Sequence, residues 1–538
     1  MRIFLLAFVV TSLPLLSASA TPSPAEARRI LRYPSGSLSL GFTNSGKLLN
    51  GVKLPVEGRG FRIFSHFVKR DTNFGTAELI GLIKRAGRTV SKTHPGAIIG
   101  VGNLSREGGG QTGSSVSHKS GRDADLGMFA LTRKGEAKNL GSFISFEKDG
   151  WDKRKRYRFD PVRNLDLVLA LVEDTQSPVQ VIFVADWLKA IVMKEATRRG
   201  LDAEKVQKID TILRQPSDSN PHHHHYHVRL YCSLEDRQHG CLERGDVHPW
   251  VDHGEDTFQK RVEALTSILS MKQTRWRRAG VERLGELRAV SAIGPLLRSA
   301  EDTNERVALA ALAALGNMAH PDAFPPLVEL LERSSDAKRI IGILDAILRI
   351  ELPELERTSL AFMAKLRSES YAGSTAQKRI LQLKTLEVLQ RFGRKASFEP
   401  VLKLLDSEDI QLMKTAHRTL RRITNQPIKG SFKRQRHRNS LREKWVGFRN
   451  EHQDKSWYEW MILGFKARGI TTNADGKEHP ESLVEQLTHR DDDAAHNAAL
   501  TLMHLTGHTA YPWWRKKRNN HRHWKSWFRT QGGGEKLP

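Results

Sequence analysis

The chain has 538 residues, more than the roughly 100–200 of a typical domain, and so predicts two to four domains. Hydrophobic residues make up 39% of it, enough for packed cores, which excludes a largely disordered chain. A formal net charge of +26 favours polyanionic or acidic partners, but does not distinguish nucleic acid, an anionic membrane surface and an acidic cell-wall polymer.

The first 20 residues have the pattern of a secretory signal. Arg2 precedes an apolar run over residues 3–16, and the small residues at 18–20 follow as a cleavage signal. The run is shorter than the ~20 residues that cross a bilayer, and no second long apolar stretch follows, so no membrane span is predicted. We expect a protein exported after cleavage at Ala20. Export also argues against nucleic acid as the partner.

Residues 21–255 are predicted to form an α+β domain. The helical patterns TAELIGLIKRAGRTV and WLKAIVMKEATRRG alternate with the strand-like runs AIIGVGNL, VQVIFVA and YHVRLYC. The polar loop REGGGQTGSSVSHKSG is long, and long loops in compact domains are usually functional. Two nearby cysteines, Cys232 and Cys241, can form a disulfide, which export favours over two free thiols.

Residues 256–428 read as helix after helix. LGELRAVSAIGPLLRS begins at Leu284, and LGNMAHPDAFPPLVELLE begins at Leu315 in the same phase, which aligns Gly285 with Gly316. FGRKASFEPVLKLL is a third copy. A helical pair cannot bury its apolar face alone, so such units stack. The units resemble HEAT repeats and predict an all-α solenoid; an irregular helical domain is the alternative.

Residues 429–538 are predicted to form helical, basic, Trp-rich repeats. Two copies of one pattern follow each other here. In the first copy, TLRRITNQPIK is followed by REKWVGFRNEH, and in the second, TLMHLTGHTAY is followed by RHWKSWFRTQG. The comparison aligns Trp445 with Trp524. Trp513 and Trp514 adjoin four consecutive cations. Aromatic residues among cations can stack on sugars or bases. We favour the alternative, an amphipathic helix with buried tryptophans and a solvated basic face.

The segment NPHHHHYHVRLYC, residues 220–232, has five histidines within six positions. Read as a strand, it directs His225, His227 and Arg229 to one face, while the residues between them face an apolar core. Two histidines at i and i+2 can reach one small volume. On this segment alone, a surface histidine cluster is an equal alternative to a metal site.

A second segment, SHKSGRDADLG, supplies His118 and Asp125 on either side of a turn at Gly121. A zinc enzyme needs three protein ligands with N or O donors and an open position for water, whose pKa the metal lowers toward ~7. His118, Asp125 and His227 would supply the three protein ligands. His225 would stand beside the metal as proton acceptor or oxyanion partner. Together, the two segments predict a catalytic Zn²⁺ site.

The segments LSREGGGQTGSSVSHKSGRDADLGMF and HHHHYHVRLYC resemble the penicillin-insensitive murein endopeptidase family. GSLSLGFTNSGKLLNGVKLPVEGRGFRIF and FGTAELIGLIKRAG extend this resemblance over residues 34–241. The family belongs to a zinc peptidase group with D-Ala-D-Ala carboxypeptidases and lysostaphin-like enzymes. The resemblance implies an α+β fold around an antiparallel core sheet. It also implies hydrolysis of the D-alanyl-meso-diaminopimelyl cross-link of peptidoglycan, in the periplasm.

The resemblance also implies roles for single residues. The zinc ligands are His118, Asp125 and His227, the base or oxyanion partner is His225, and His222 matches a further family histidine that we predict to be catalytic. Some members carry a histidine three positions before the first ligand, where a second metal has been suggested. This chain has Ser115 there, so we expect one zinc per chain. Cys232 matches a family cysteine, which supports a bridge to Cys241.

Two polar residues beside this set each have two interpretations. Asp123 can orient His118 as a hydrogen-bond acceptor, or cap the turn. Arg229 can bind a substrate carboxylate through two hydrogen bonds, or form a salt bridge at the strand edge. No role is assigned to His223 and His224.

The sequence therefore predicts a zinc metallo-endopeptidase that acts on peptidoglycan, with the solenoid as a docking arm to which a protein partner can also bind. A D,D-carboxypeptidase on the same scaffold is one alternative. A non-catalytic scaffold protein that binds the cell wall is the other.

Overall fold

The computed structural model describes residues 21–112, 115–216, 221–245, 247–352, 354–368, 371–470, 473–474, 477–478, 480–507 and 517–530. The predicted secretion signal and the pair Trp513 and Trp514 lie outside these residues. Over the described residues, a mixed α/β domain is followed by a helical region. Their helices include none that is long and apolar enough to cross a bilayer.

The α/β domain begins with a helix and a series of short strands that lead to the centre of its sheet. These elements are α1 (Pro24–Leu31), β1 (Leu38–Leu40), β2 (Lys47–Leu49), β3 (Val52–Lys53), β4 (Glu57–Gly58), β5 (Phe61–Ile63), α2 (Ser65–Val68), β6 (Phe74–Gly75), α3 (Ala77–Thr93), β7 (Ile99–Val101) and β8 (Asp123–Gly127). The domain continues with β9 (Ala130–Thr132), β10 (Ala137–Lys138), β11 (Tyr157–Phe159), α4 (Pro161–Val172), β12 (Val179–Phe183), α5 (Asp186–Arg198), α6 (Ala203–Ile212), β13 (Leu213–Arg214), β14 (His225–Leu230) and α7 (Leu234–Arg237).

Seven strands form the main sheet, in the order β13-β12-β14-β8-β7-β5-β4. Its centre, from β12 to β7, is antiparallel, as expected. The sheet as a whole is mixed, because β5 pairs with β7 and β12 pairs with β13 in parallel. Parallel neighbours need a long crossover, usually helical. Helix α3 provides one crossover, and helices α5 and α6 provide the other.

Strand β14 alternates between the two faces of the sheet as its sequence predicts. Tyr226, Val228 and Leu230 are at most 2% exposed and belong to the apolar core under α3 and α4. Their neighbours His225, His227 and Arg229 therefore lie on the opposite face. One face of β14 is fixed by apolar burial, which leaves the other face for polar chemistry.

The helical region has fifteen α-helices and a two-stranded hairpin in its described residues. The helices are α8 (Glu255–Ser267), α9 (Thr274–Leu287), α10 (Ile293–Ser299), α11 (Glu305–Met318), α12 (Phe324–Arg333), α13 (Ala337–Ile350), α14 (Leu355–Arg367), α15 (Thr375–Phe392), α16 (Phe398–Leu402), α17 (Ile410–Thr424), α18 (Gln435–His452), α19 (Trp457–Lys466), α20 (Pro480–Gln486), α21 (Asp492–Thr506) and α22 (Lys517–Thr530). The hairpin strands, β15 (Asn473–Ala474) and β16 (Lys477–Glu478), lie between α19 and α20.

The repeated glycines lie where one helix packs tightly against the next helix of the stack. A Cβ atom on Gly285 would lie 2.6 Å from Cβ of Ala314, so α9 can contact α11 closely only without a side chain there. One repeat later, a Cβ atom on Gly316 would lie 2.9 Å from Cα of Ala346, between α11 and α13. The sequence repeat is thus a packing repeat.

The ends of these helices repeat as well. Helices α9, α11 and α13 end in left-handed residues, Arg288, Ala319 and Glu351, with φ angles of 52°, 51° and 65°. A short 3₁₀ turn then precedes α10 and α12. A common turn at a common position supports stacked units rather than an irregular helical domain.

The tryptophans of the last repeats that the structure describes face the interior. Trp445 on α18 and Trp524 on α22 are both fully buried, and the indole of Trp445 donates to Nδ1 of His417 over 3.0 Å. These two residues therefore match the buried-tryptophan interpretation and are not available to stack on sugars.

Helix α1 packs against the helical region, although it precedes the sheet in the chain. Its Ala27 is fully buried in a cluster with Val262 and Leu265 of α8. A capping box between Ser23 and Glu26 begins the helix. Both ends of the α/β domain are therefore linked to the first repeat.

Replacing Gly285 with alanine should destabilise the helical region by about 1–3 kcal/mol, because the new Cβ atom overlaps Ala314. The matched control is Gly447→Ala in α18, where nothing lies within 4 Å of the added Cβ atom. That change should stabilise the helix by about 0.5–1 kcal/mol. Urea denaturation followed by circular dichroism measures both. Midpoints that shift in the same direction would contradict the packing repeat.

Candidate metal centre

Strands β8 and β14 bring two acidic and two basic side chains together at the centre of the sheet. Their antiparallel register places Asp125 opposite His227 and Asp123 opposite Arg229. Residues two apart on a strand share a face, so the four side chains form one patch. The carboxylates of Asp123 and Asp125 are almost fully buried, as is His227.

Three histidine rings converge on one carboxylate oxygen, Oδ1 of Asp125. Nε2 of His118 and Nδ1 of His227 each lie 3.1 Å from it, and Nε2 of His225 lies 3.3 Å from it. Donor atoms bound at 2.0–2.1 Å to a tetrahedral Zn²⁺ lie about 3.3 Å apart. The donor set of His118, Asp125 and His227 therefore fits a metal ion of this kind.

A second group, His222, His225 and His227, also brings its ligand atoms within 4.8 Å of one another, as the first group does. The two groups share His227. The hydroxyl of Ser115 lies 3.4 Å from that of Ser117.

The loop that carries His118 is held by hydrogen bonds on both sides. The Ser105 hydroxyl donates to the His118 carbonyl over 2.6 Å and accepts from the Gly121 amide over 2.9 Å. His118 itself has a φ of 63°, in the left-handed region that residues other than glycine rarely adopt. Such backbone strain persists only where surrounding contacts hold it. Here those contacts fix the position of the imidazole.

Of the two interpretations of Asp123, the structure shows the turn cap, and of the two interpretations of Arg229 it shows the salt bridge. Its Oδ2 accepts from the backbone amide of His118 over 3.0 Å, which caps the turn. Its Oδ1 accepts from Nε of Arg229 over 2.7 Å, and Arg229 makes a second contact at 3.3 Å. Burial raises the pKa of Asp123, but Arg229 and His227 outweigh burial and hold it well below its usual value. Arg229 therefore forms a salt bridge in the sheet and neutralises a buried charge.

Asp125 is held in place from the side away from the histidines. Its Oδ2 accepts from the Asn103 amide over 3.3 Å, and the Thr72 hydroxyl donates to Asn103 over 3.1 Å. Burial raises the pKa of Asp125, but His118 and His225 outweigh it and keep the pKa well below its usual value. The carboxylate is thus ionised at neutral pH, as a metal ligand must be.

His227 lies between the two carboxylates. Its Nδ1 faces Asp125, and its Nε2 lies 3.6 Å from Oδ1 of Asp123, beyond hydrogen-bond range. Burial lowers the pKa of His227, but Asp123 and Asp125 outweigh burial and raise it to about 9. The two carboxylates therefore favour a cation at this position, and a metal ion there would displace a proton.

His225 is positioned by contacts that the sequence pattern did not indicate. Its Nδ1 lies 2.8 Å from Nδ1 of His224, and its ring stacks on Phe143 with centroids 4.8 Å apart. Burial, with His225 and His223, lowers the pKa of His224 to about 4, so His224 is neutral at pH 7. A neutral His224 can accept the Nδ1 proton of His225, which leaves Nε2 of His225 free toward Asp125.

His222 completes the histidine cluster. The centroid of its ring lies 5.1 Å from that of His225 and 5.6 Å from that of His227. Burial lowers the pKa of His222 to about 3, and the nearby His227 and His225 contribute to this shift. The ring of His223 lies between those of Trp187 and His224, with centroids 5.9 Å and 5.6 Å away. The sequence thus predicted the residues of the cluster but missed His224, because only the strand period, and not a contact between adjacent residues, was visible.

The two cysteines close a loop immediately after β14. Cys232 and Cys241 form a disulfide with their Cα atoms 6.0 Å apart. The loop contains α7, and its far end pairs with Gly41 next to β1. The loop therefore joins the end of the metal-site strand to the first hairpin.

Comparisons with known proteins agree with the two parts of the fold. Residues 39–279 match the model of the penicillin-insensitive murein endopeptidase family, and residues 262–347 match that of HEAT repeats. Penicillin-insensitive murein endopeptidases from Escherichia coli O1:K1 / APEC and from strain SMS-3-5 / SECEC are 23% identical over 246 residues. That alignment covers 42% of this chain and 78% of each relative.

Among solved structures, an engineered protein aligns with 45% of this chain and 94% of its own, at 18% identity. Its TM-score of 0.22 is too low to bear on the fold. The resemblance inferred from the sequence, a murein endopeptidase segment followed by HEAT repeats, is confirmed by the family models. All the candidate metal ligands lie within the segment that matches the endopeptidase family.

Replacing Asp125 with asparagine should remove metal binding, because it takes away the charge on which three imidazoles converge. Metal content measured by mass spectrometry after dialysis should fall from about one equivalent, the expected content of one site, to background. The matched control, Asp149→Asn at an exposed carboxylate, should keep its metal. Equal metal content in the two variants would contradict the ligand assignment.

Proposed function

We propose that this chain is an exported zinc metallo-endopeptidase that hydrolyses D-alanyl-meso-diaminopimelyl cross-links of peptidoglycan in the periplasm. One observation carries the proposal. Within the segment that matches murein endopeptidases, the rings of His118 and His227 converge on Asp125 at 3.1 Å. The α/β domain would then be a zinc-peptidase fold. Domain boundaries near residues 255 and 428, with the repeats as a docking arm, belong to the same proposal.

In this proposal His118, Asp125 and His227 hold one Zn²⁺ per chain. When bound, zinc would polarise the scissile carbonyl and lower the pKa of a water molecule toward ~7. The protein would contribute orientation. Asn103 holds the far oxygen of Asp125, and Ser105 holds the strained backbone of His118. Groups that orient metal ligands in this way typically change metal affinity by ~10–100-fold when they are removed.

His225 would act as the proton-transfer residue. Its Nε2 points at the ligand cluster, while its Nδ1 is occupied by His224 and its ring by Phe143. At Nε2 it can accept a proton from the attacking water and then donate it to the leaving amine. His222, held uncharged beside it, can hydrogen-bond to the developing oxyanion or to the substrate. Tight positioning of His225 argues against a non-catalytic scaffold, which would need only the metal ligands.

The charge of the chain suits this substrate. Stem peptides of peptidoglycan carry free carboxylates on diaminopimelate and on terminal D-alanine. A net charge of +26 favours association with such an acidic polymer over a neutral one. The family resemblance favours cross-link cleavage over removal of terminal D-alanine, and the products distinguish the two reactions.

A digest of diaminopimelate-type cell walls tests the proposal. The zinc-loaded protein should convert cross-linked dimers to monomers, and a zinc chelator should stop the conversion, because it removes the metal that activates the water. Mass spectrometry of the released muropeptides measures both products. Free D-alanine from monomers would indicate a D,D-carboxypeptidase instead. Walls left unchanged by zinc-loaded protein would favour the scaffold alternative.

Replacing His225 with alanine should lower cleavage by about 10²–10⁴-fold while zinc is retained, because proton transfer is lost and the ligand set is intact. The control is His223→Ala, a neighbouring histidine whose ring packs against Trp187 and His224 rather than against His225. Cleavage by the control should stay near that of the unmodified protein. If His225→Ala keeps its activity, His225 does not transfer the proton.

A further inference from the structure

The first repeat is fixed against the α/β domain by the loop that the disulfide closes. The guanidinium of Arg283 on α9 donates to Nδ1 of His239 over 3.0 Å and lies 4.0 Å from the centroid of the Tyr33 ring. The Tyr33 hydroxyl donates to Glu286 over 3.0 Å, and Arg261 on α8 donates to the Gln238 carbonyl over 3.2 Å. These contacts, with the docking of α1, define a set orientation between the two parts.

An open cleft of about 960 Å³ lies between the β1–β2 hairpin and helices α9 and α11. Its size is within the range of about 300–1,000 Å³ that is usual for ligand sites. Apolar residues of α11 form part of its lining, namely Leu309, Ala310, Ala313 and Ala314. The lining also includes cations from both parts of the chain, namely Lys47, Arg278, Arg288 and Arg306.

The positive charge of this cleft is only partly balanced. Its two acidic residues are already engaged by arginines: Glu282 pairs with Arg278 over 2.8 Å, and Glu286 pairs with Arg283. Within the portion of the chain that the structure describes, Lys47 and Arg306 have no ion-pair partner, and both are exposed. An exposed cleft with excess positive charge favours an anionic occupant.

The hairpin that forms one wall of the cleft also contacts the loop of the metal site. The Leu48 amide donates to the Gly108 carbonyl over 3.1 Å. Lys119, next to His118, donates its amide to the Thr43 carbonyl over 2.9 Å. The hairpin therefore connects the loop of the candidate metal site to one wall of the cleft.

We propose that the cleft binds a stem peptide of peptidoglycan through its carboxylates, at a distance from the bond that is cut. This rests on the proposed function, because it takes peptidoglycan as the substrate. Lys47 and Arg306 contact the carboxylates, and the alanines of α11 leave room for the peptide backbone. The first repeat thereby supplies half of an extended wall-binding surface.

The test uses the full zinc-loaded chain with Lys47→Glu and Arg306→Glu combined. The matched control, Lys92→Glu with Arg357→Glu, makes the same charge change on exposed cations outside the cleft. Co-sedimentation with purified cell walls on ice measures affinity without any need for cleavage. The cleft variant should bind about tenfold more weakly, because two attractive charges become repulsive, and the control should bind normally.

Two further experiments identify the ligand and separate this inference from the proposed function. Walls whose free carboxyl groups have been converted to amides should bind the unmodified protein as weakly as the cleft variant binds native walls. Cleavage of a small soluble cross-linked dimer should be the same in the cleft variant and the unmodified protein. An inactive unmodified protein that binds walls through the cleft would contradict the proposed function alone.

Three results would overturn the inference. One is equal wall affinity of the cleft variant and the control, whether both are high or both are low. Another is undiminished binding to amidated walls, which would point to an anionic group other than a carboxylate. The last is loss of soluble-dimer cleavage in the cleft variant with zinc retained, which would make the cleft part of the reacting-peptide site itself.

Discussion

The antiparallel pairing of β8 with β14 is the constraint on which the rest of the candidate metal centre depends. Its register sets Asp125 against His227 and Asp123 against Arg229 in the middle of the sheet. A shift by one residue would move these side chains to the apolar face, where Tyr226 and Val228 lie fully buried. The burial of those apolar residues therefore holds the register, and the register brings the candidate ligands together.

Two buried carboxylates close together are stable only when cations compensate them. Leaving one such charge without its partner costs about 3–5 kcal/mol. Arg229 compensates Asp123, and the imidazoles compensate Asp125. This division has a functional consequence: Asp123 belongs to the scaffold, while Asp125 remains available to a metal ion. The same negative potential raises the pKa of His227, so the site attracts a cation before any ligand bond forms.

The helical repeats are joined to the α/β domain at several points. Helix α1 packs in the core of the first repeat, and the disulfide-closed loop contacts α8 and α9. That loop follows directly from β14, so the strand that carries the histidines continues into the surface that carries the repeats. The repeats thus have a defined position relative to the candidate metal centre, unlike a domain on a flexible linker.

The sequence by itself determined which side chains share a face of β14, the repeat of Gly285 and Gly316, and the place of His225 and His227 in the histidine cluster. Periods of two residues and of about thirty are properties of the chain alone. Only the tertiary structure decided that Arg229 neutralises Asp123, that His224 fixes His225, that the sheet has parallel pairs, and that α1 docks on the repeats. The physical reason is that a period specifies a direction for each side chain but no partner. Partners come from long-range packing, in which buried charge and apolar surface must be matched across segments far apart in the chain.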